Sequence, residues 1–434
     1  MTRSPGGPAA PADAARADAS PVSTASANTG PDLVRTAAEL AAALRDRAAD
    51  WDQRQELPPE VRRTVAEAGL LGVAVPPEYG GSGLGAAELG EVCAHLGGVC
   101  SALRGLVTVQ SMVAAALLRW GTEAQRARWL PPLARGTRIA AFAATEPDAG
   151  SALAHVRTRV ENVEEEAAGK NDKDRAEAIA VGSGQVVVTG HKRWITFGRS
   201  ADVFLVLGRS AAGPVTVLVE ADRPGVRREP VSGQLGMRAA DIAHVRFDAV
   251  TVPRENLVAP AGAGLTHVAA TALDHGRFTV AWGCVGMAEA CVADAAEHAV
   301  RRTQGDVALA GHQLVGALLA RAAVETAAAR ELCARAARLR TGRGLRAVTE
   351  TIVAKYAAAQ AAGSAAHSAV QVLGSAGCGP ESRAGRFFRD AKIMEIIEGS
   401  QQVAELHIAD RLFRQHGLGG TSHADVTSRT EASA

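Results

Sequence analysis

Apolar positions recur with two different periods along this chain, and the switches between them divide it into three zones. From about Asp32 to Gly136 they return every three to four residues, with acidic and basic residues between them, as in amphipathic helices. One stretch interrupts that zone: Val75-Pro76-Pro77-Glu78-Tyr79-Gly80-Gly81-Ser82-Gly83 is too rich in Pro and Gly for a helix and is a predicted loop. From about Ile139 to Val258 the period becomes two. Val186-Val187-Val188, Val203-Phe204-Leu205-Val206-Leu207, Val215-Thr216-Val217-Leu218-Val219 and Val245-Arg246-Phe247 read as short strands, parted by Gly, Pro and Asp clusters. Beyond Pro260 the helical period returns, Ala dominates, and Pro380 alone interrupts. That pattern predicts about four long helices, near 264–303, 311–341, 345–374 and 382–416, joined by short turns into a bundle.

The expected fold is mainly α with a central β domain. An N-terminal α-helical domain occupies 32–138, a middle antiparallel β-barrel or sandwich 139–259, and a C-terminal four-helix bundle 260–418. The first 31 residues and those from 419 to 434 are Ala, Pro, Ser, Gly and Thr with almost nothing large to bury, so both ends are expected to be disordered tails. A charged stretch at about 161–177 is expected to be an exposed loop in the middle domain.

Composition narrows the function classes. Lys and Arg number 47 against 46 Asp and Glu, so no charge excess points to nucleic acid or an anionic membrane. No wholly apolar run reaches the roughly 18 residues of a membrane span. The six cysteines lie far apart without a C-x-x-C pair, which suits a reducing, cytoplasmic setting and argues against a disulfide frame or a metal site. The loop at 75–83 lacks the G-x-G-x-x-G spacing and the βαβ surroundings of a dinucleotide site.

Three strings carry candidate chemistry: Phe142-Ala143-Ala144-Thr145-Glu146-Pro147-Asp148-Ala149-Gly150-Ser151 at the handover to strands, Lys192-Arg193-Trp194-Ile195-Thr196 between two strands, and Arg389-Asp390-Ala391-Lys392-Ile393-Met394-Glu395-Ile396-Ile397-Glu398-Gly399-Ser400 in the last helical segment. Thr145 with nearby amides, and Trp194 with Thr196, suit the edge and one face of a flavin ring. Taken singly, Trp194 reads as well as a core aromatic. Glu398 follows two isoleucines and precedes a glycine able to break a helix, the setting of a carboxylate held in a water-poor pocket for proton abstraction. Ser400 is placed to cap the next helix, whose N-terminal amides would face a phosphate.

With these strings, the loop at 75–83, and the run from Gly236-Met237-Arg238 through Phe247 to Val252-Pro253-Arg254-Glu255-Asn256-Leu257, the chain resembles the acyl-CoA dehydrogenase family from about residue 32 to 416. The resemblance implies non-covalent FAD, an acyl thioester substrate on coenzyme A or acyl carrier protein, and an acceptor such as an electron-transfer flavoprotein or oxygen. It implies that Glu398 takes the α-proton while the β-hydride passes to the flavin. Thr145, Trp194 and Thr196 would hold the ring and Ser151 would approach the pyrophosphate. Arg277, in Asp274-His275-Gly276-Arg277, would lie at the substrate, and Gln402 near the base. Arg302, Gln313, Gln371 and Gly374 match residues that reach a neighbouring subunit's cofactor, so a homodimer or homotetramer is expected. Three departures bear on FAD affinity: Ala152 for an aspartate, Phe197 for an asparagine, and Gly305-Asp306 for Phe-Gly.

The segment His275-Gly276-Arg277 with Val280-Ala281-Trp282-Gly283-Cys284-Val285-Gly286, and Met394 to Ser400, is similar to a narrower branch. Its members oxidise a carrier-bound three-carbon unit in actinobacterial polyketide pathways, supplying methoxymalonyl- or aminomalonyl-type extender units. An acidic carrier would dock on an Arg-rich face, with Arg335, Arg338, Arg340, Arg343 and Arg346 as candidates. Rival readings are an ordinary acyl-CoA dehydrogenase, a flavin monooxygenase of the same fold, a non-catalytic scaffold, and a di-metal bundle. The last requires Glu-x-x-His motifs that the chain lacks, and His407, two residues from Glu405, reads as packed or solvated.

Overall fold

The computed structural model describes residues 30–162, 184–340 and 344–417. The expected tails therefore lie outside the described residues, except that Gly30 and Pro31 open the first helix. Most of the charged stretch is outside them too. Its first residue, Glu161, is not in a loop but in a strand paired with Val187, which corrects that expectation.

Six helices build the first zone: α1 (Gly30–Leu44), α2 (Ala48–Arg54), α3 (Pro59–Glu67), α4 (Ala86–Gly97), α5 (Ser101–Trp120) and α6 (Glu123–Ala134). α6 starts at a reciprocal capping box formed by Thr122 and Gln125. α5 is apolar nearly all round because it is enclosed on nearly every side. It and the 264–301 helix are long and apolar enough to cross a membrane by composition, a point that inspecting unbroken apolar runs overlooks. The structure buries 89% and 72% of their apolar windows against the rest of the fold.

The middle zone is one sheet of β1 (Ala140–Ala143), β2 (Arg159–Asn162), β3 (Gln185–Ile195), β4 (Val203–Ser210), β5 (Gly213–Glu220), β6 (Val226–Pro230), β7 (Ala243–Pro253) and β8 (Leu257–Val258). Its order is β6-β7-β3-β2-β4-β5-β8, with β1 joined to β4. Most pairings are antiparallel as expected, but β1 runs parallel to β4, Ala140 facing Val203, and β2 meets β4 in parallel at Arg159 and Arg209. β4 is therefore paired along both edges; it is also buried on both faces, and its sequence Val203-Phe204-Leu205-Val206-Leu207 is a solid apolar run rather than an alternation. The Lys192 to Ile195 part of the second string ends β3 itself, instead of lying between strands.

A π-helical turn (Gly264–Ala269) leads into α7 (Ala270–Arg301), followed by α8 (Gln313–Arg340) and α9 (Leu345–Leu373). The fourth bundle segment is not one helix. After a short turn at Ser375–Cys378 it divides into α10 (Arg383–Ile396) and α11 (Gln401–Gln415), with residues 397–400 between them. Between α7 and α8 stands a small hairpin, β9 (Thr303–Gln304) with β10 (Val307–Ala308). Its two central residues are Gly305 and Asp306, at φ 60° and 63°, which is the two-residue loop that matches strand twist. The Gly305-Asp306 departure therefore has a structural reading: it makes this turn. One core joins α1, α4, α5 and the bundle, and α4 lies so close to α7 that a Cβ at Gly286 would sit 1.9 Å from the Ala94 carbonyl.

Candidate active site

The break between α10 and α11 makes the centre of the site. Ile397 ends α10, and Ser400 starts α11 by accepting Val403 N–H at 3.4 Å, as its position predicts. Between them Glu398 and Gly399 both adopt left-handed backbone, at φ 56° and 98°. A glutamate there is strained, and the surroundings hold it in place. Arg277 Nε donates to the Glu398 carbonyl at 2.8 Å, and Lys355 Nζ donates to the Gly399 carbonyl at 2.8 Å. Both carbonyls lie within the interruption, outside the ladder of either helix.

The Glu398 carboxylate turns inward. Its Oε2 is sealed from solvent and accepts no hydrogen bond. It lies over the Cα of Gly276, where a Cβ would come within 2.6 Å of it, and beside Met112 Sδ. Burial pushes its pKa up to about 7, against the pull of Arg277, Lys355 and Arg104. A carboxylate with a free oxygen and an elevated pKa, aimed at an enclosed spot, is a general base held ready near neutral pH. The space around it, bounded by Arg277, Lys355, Gly399, Val403 and His407, is only about 10 Å³. A larger cavity of about 280 Å³ lies alongside, lined by Ser111 and Ala114 of α5, by Asp274 and His275 of α7, and by Arg340. His275 is buried with Nε2 unpartnered, and burial drives its pKa down to about 3, so it is a neutral ring.

The first two strings meet in space. Arg193 N–H donates to the Thr145 carbonyl at 2.9 Å, tying the turn after β1 to the end of β3. Beneath them Lys192 Nζ binds Glu146 Oε1 at 2.7 Å and the Ala144 carbonyl at 3.0 Å, both side chains buried. Burial pushes the Glu146 carboxyl up, but Lys192, Thr158 and the Arg157 amide more than offset this and hold it below its usual value. Trp194 is no core aromatic: it is 55% exposed, at φ 59° in a bulge of β3. Its amide donates to His244 Nδ1 at 3.2 Å and its ring meets the His244 ring edge-on at 5.4 Å. Gly105 of α5 faces Thr196, Phe197 and Met237, and a Cβ there would come within 3.3 Å of the methionine. An exposed indole beside two half-buried threonines fits the face and edge of a planar flavin ring. Seven residues along α5 separate Gly105 from Met112, so ring cradle and base stand about 10 Å apart along that helix.

Other expected residues are placed elsewhere. Ser151 and Ala152 are exposed in the turn leading to β2, and Gln402 is exposed in the first turn of α11. Arg302, Gln313, Gln371 and Gly374 are exposed at the opposite end of the bundle from Glu398. Phe197, in place of asparagine, has φ 56° with its ring fully buried; a residue type that tolerates left-handed backbone has given way to one that fills the core. The arginine cluster is not a free face: Arg335 pairs with Glu350 at 2.9 Å and Arg340 with Asp274 at 2.7 Å, Arg346 is exposed, and Arg343 lies outside the described residues.

Sequence reasoning missed Arg104 and Lys355, both 2% exposed, and the Lys192–Glu146 pair. Arg104 Nη1 donates to Thr108 Oγ1 and Nη2 to Met394 Sδ, each at 3.1 Å, and no described carboxylate forms an ion pair with it. The available signal was a single charge in an otherwise apolar stretch, Ala102-Leu103-Arg104-Gly105-Leu106 and Val353-Ala354-Lys355-Tyr356-Ala357.

Comparison with known proteins covers most of the described length. The acyl-CoA dehydrogenase N-terminal, middle and C-terminal domain models match residues 32–137, 141–250 and 262–413. An acyl-CoA dehydrogenase of Bacillus subtilis (strain 168) is 31% identical over 376 residues, spanning 85% of this chain and 92% of that protein. Among solved structures, FkbI, for biosynthesis of the methoxymalonyl extender unit of the Fk520 polyketide immunosuppressant, is 38% identical with a TM-score of 0.78, over 87% of this chain and 99% of that one. A glutaryl-CoA dehydrogenase from Mycobacterium smegmatis in complex with FADH2 is 26% identical with a TM-score of 0.80, over 88% and 94%.

Proposed function

We propose what this chain oxidises from the fact that it belongs to the acyl-CoA dehydrogenase family, whose members are FAD-dependent dehydrogenases. Its substrate is a short, polar acyl thioester carried by an acyl carrier protein, of the kind used to make polyketide extender units. The observation that carries the dehydrogenase chemistry is the Glu398 carboxylate, whose Oε2 is sealed from solvent, unpartnered and aimed inward.

Bound FAD supplies the two-electron acceptor for the hydride that leaves the β-carbon. Glu398 Oε2 takes the α-proton, so the acyl group must carry hydrogen on both its α- and β-carbons. Arg277 fixes the base from behind, through its carbonyl, and leaves the carboxylate free. Trp194 and Thr196, with Thr145, form the cofactor cradle, and Ser151, Ser400 and Gln402 are the proposed contacts beyond the ring. The likeness to FkbI supports the extender-unit class. With Arg335 and Arg340 engaged in ion pairs, carrier docking rests on fewer arginines than the sequence indicates.

The test is rapid-mixing flavin reduction by one three-carbon, hydroxylated acyl group presented on carrier protein and on coenzyme A, with wild type and Glu398→Gln. The carrier form is expected to be at least about tenfold more efficient, and the variant to lose about 100- to 10,000-fold while keeping its flavin. Equal efficiency of the two carriers would make this an ordinary acyl-CoA dehydrogenase. A variant within about threefold of wild type would move the base elsewhere.

A further inference from the structure

Two cations from two different helices, one half-buried and one fully buried, grip consecutive carbonyls at the break that bears Glu398. One is Arg277 of α7; the other is Lys355 of α9, which the reaction as described does not use. Lys355 is 2% exposed, forms no ion pair among the described residues, and its identified hydrogen bond is to the Gly399 carbonyl at 2.8 Å. Burying an ammonium without a carboxylate partner is unfavourable, and a methionine of similar length would fill the same volume without that penalty. What the lysine provides is therefore to be sought in the carbonyl it holds and the carboxylate whose enclosure it shares.

We propose that Lys355 is a positioning residue for the base: its ammonium pins Gly399 and, with Arg277 on the preceding carbonyl, holds the left-handed break that aims Glu398, while its charge favours the ionised carboxylate. The proposal rests on Glu398 being the base. The charged and titratable groups around Glu398 and Lys355 are Arg277 and Cys284 on α7, Arg104 on α5, Glu395 on α10 and His407 on α11. Lys355 is the cation of this set that is both fully enclosed and bound to the break itself. Burial pushes its pKa down to about 8, so it remains charged where Glu398 titrates.

The experiment uses flavin-loaded protein and follows substrate reduction of the flavin from about pH 5.5 to 9 in wild type, Lys355→Met and Lys355→Arg. Loss of one charge several ångströms from a buried carboxylate moves its titration by about one pH unit. The acid limb in Lys355→Met should therefore shift about one unit upward, and the plateau rate should fall about tenfold with little change in half-saturation. Lys355→Arg should return the limb to its wild-type position. Flavin content and melting temperature are expected to be unchanged in the methionine variant, and Lys355→Gln serves in its place if that protein does not fold. The Glu398 carboxyl is also titrated without turnover, by infrared difference against Glu398→Gln. An unmoved acid limb together with an unmoved carboxyl titration in the neutral variant overturns the proposal. If Glu398→Gln itself still reduces flavin at the wild-type rate, the base assignment fails, and the infrared titration still decides whether Lys355 acts on this carboxyl.

Discussion

Glu398 is kept in conditions that work against its charge. Its backbone is left-handed, its free oxygen has no donor, and its pKa of about 7 lies well above the ordinary 4.5. A carboxyl whose folded value is raised contributes stability that is complete below about pH 4.5 and is lost as pH rises through 7. Glu398→Gln, neutral at every pH, is accordingly expected to be more stable than wild type above pH 7, by about 1–3 kcal/mol, and indistinguishable from it near pH 4.5. Thermal melts at the two pH values check this, and equal melting at pH 8 would show that the carboxylate is not held at a cost. Catalysis runs the other way, since only the ionised form accepts a proton, so activity should rise through the same window in which stability falls. Phe197 shows a comparable exchange, with left-handed strain on the backbone set against a fully buried ring.

Among elements, the joint between β1 and β3 positions the cofactor cradle. Lys192 on β3 and Glu146 after β1 are buried together, and Glu146 also accepts the Thr158 amide at 2.9 Å and hydroxyl at 2.6 Å, so one carboxylate gathers three segments. Replacing Lys192 by Met leaves that carboxylate enclosed without its cation, and loss of one partner of a buried pair typically costs about 3–5 kcal/mol. The variant is expected to melt at markedly lower temperature and to release its flavin, because Arg193 and Trp194 follow directly on the displaced lysine. A Lys192→Met protein with wild-type melting and flavin content would mean that the joint is not what orders the cradle. α7 offers the complementary case: glycine at 276 lets the base approach, and glycine at 286 lets α4 approach.

At the scale of the molecule, one chain does not bring together all the residues expected at the cofactor. Arg277 and Arg302 are 25 positions apart on or just after one helix, which places them about 37 Å apart along it. Arg302, Gln313, Gln371 and Gly374 are thus out of reach of their own Glu398, as the expectation of a neighbouring subunit's cofactor requires. Large apolar side chains are exposed near that end, including Val300 and, at 80% exposure, Leu314. Light scattering on flavin-loaded protein should therefore find at least a dimer, and dilution to monomer should release FAD. A monomer that keeps its full complement of flavin would contradict the shared site.

Much of this was legible in the sequence, because periods and caps are local properties. The change from helical to alternating spacing set out the three zones, and Glu398-Gly399-Ser400 announced a helix break with a capped restart. Those features depend on the backbone preferences of a few adjacent residues. The parallel pairing of β1 with β4 was not legible, since a strand's period records which faces are buried and not which strand lies alongside. Nor was the company of the base. A lone Lys355 or Arg104 on an apolar helix reads the same whether it points to water or to a buried carboxylate, and only the packing of α5, α7 and α9 around the α10–α11 break decides between the two.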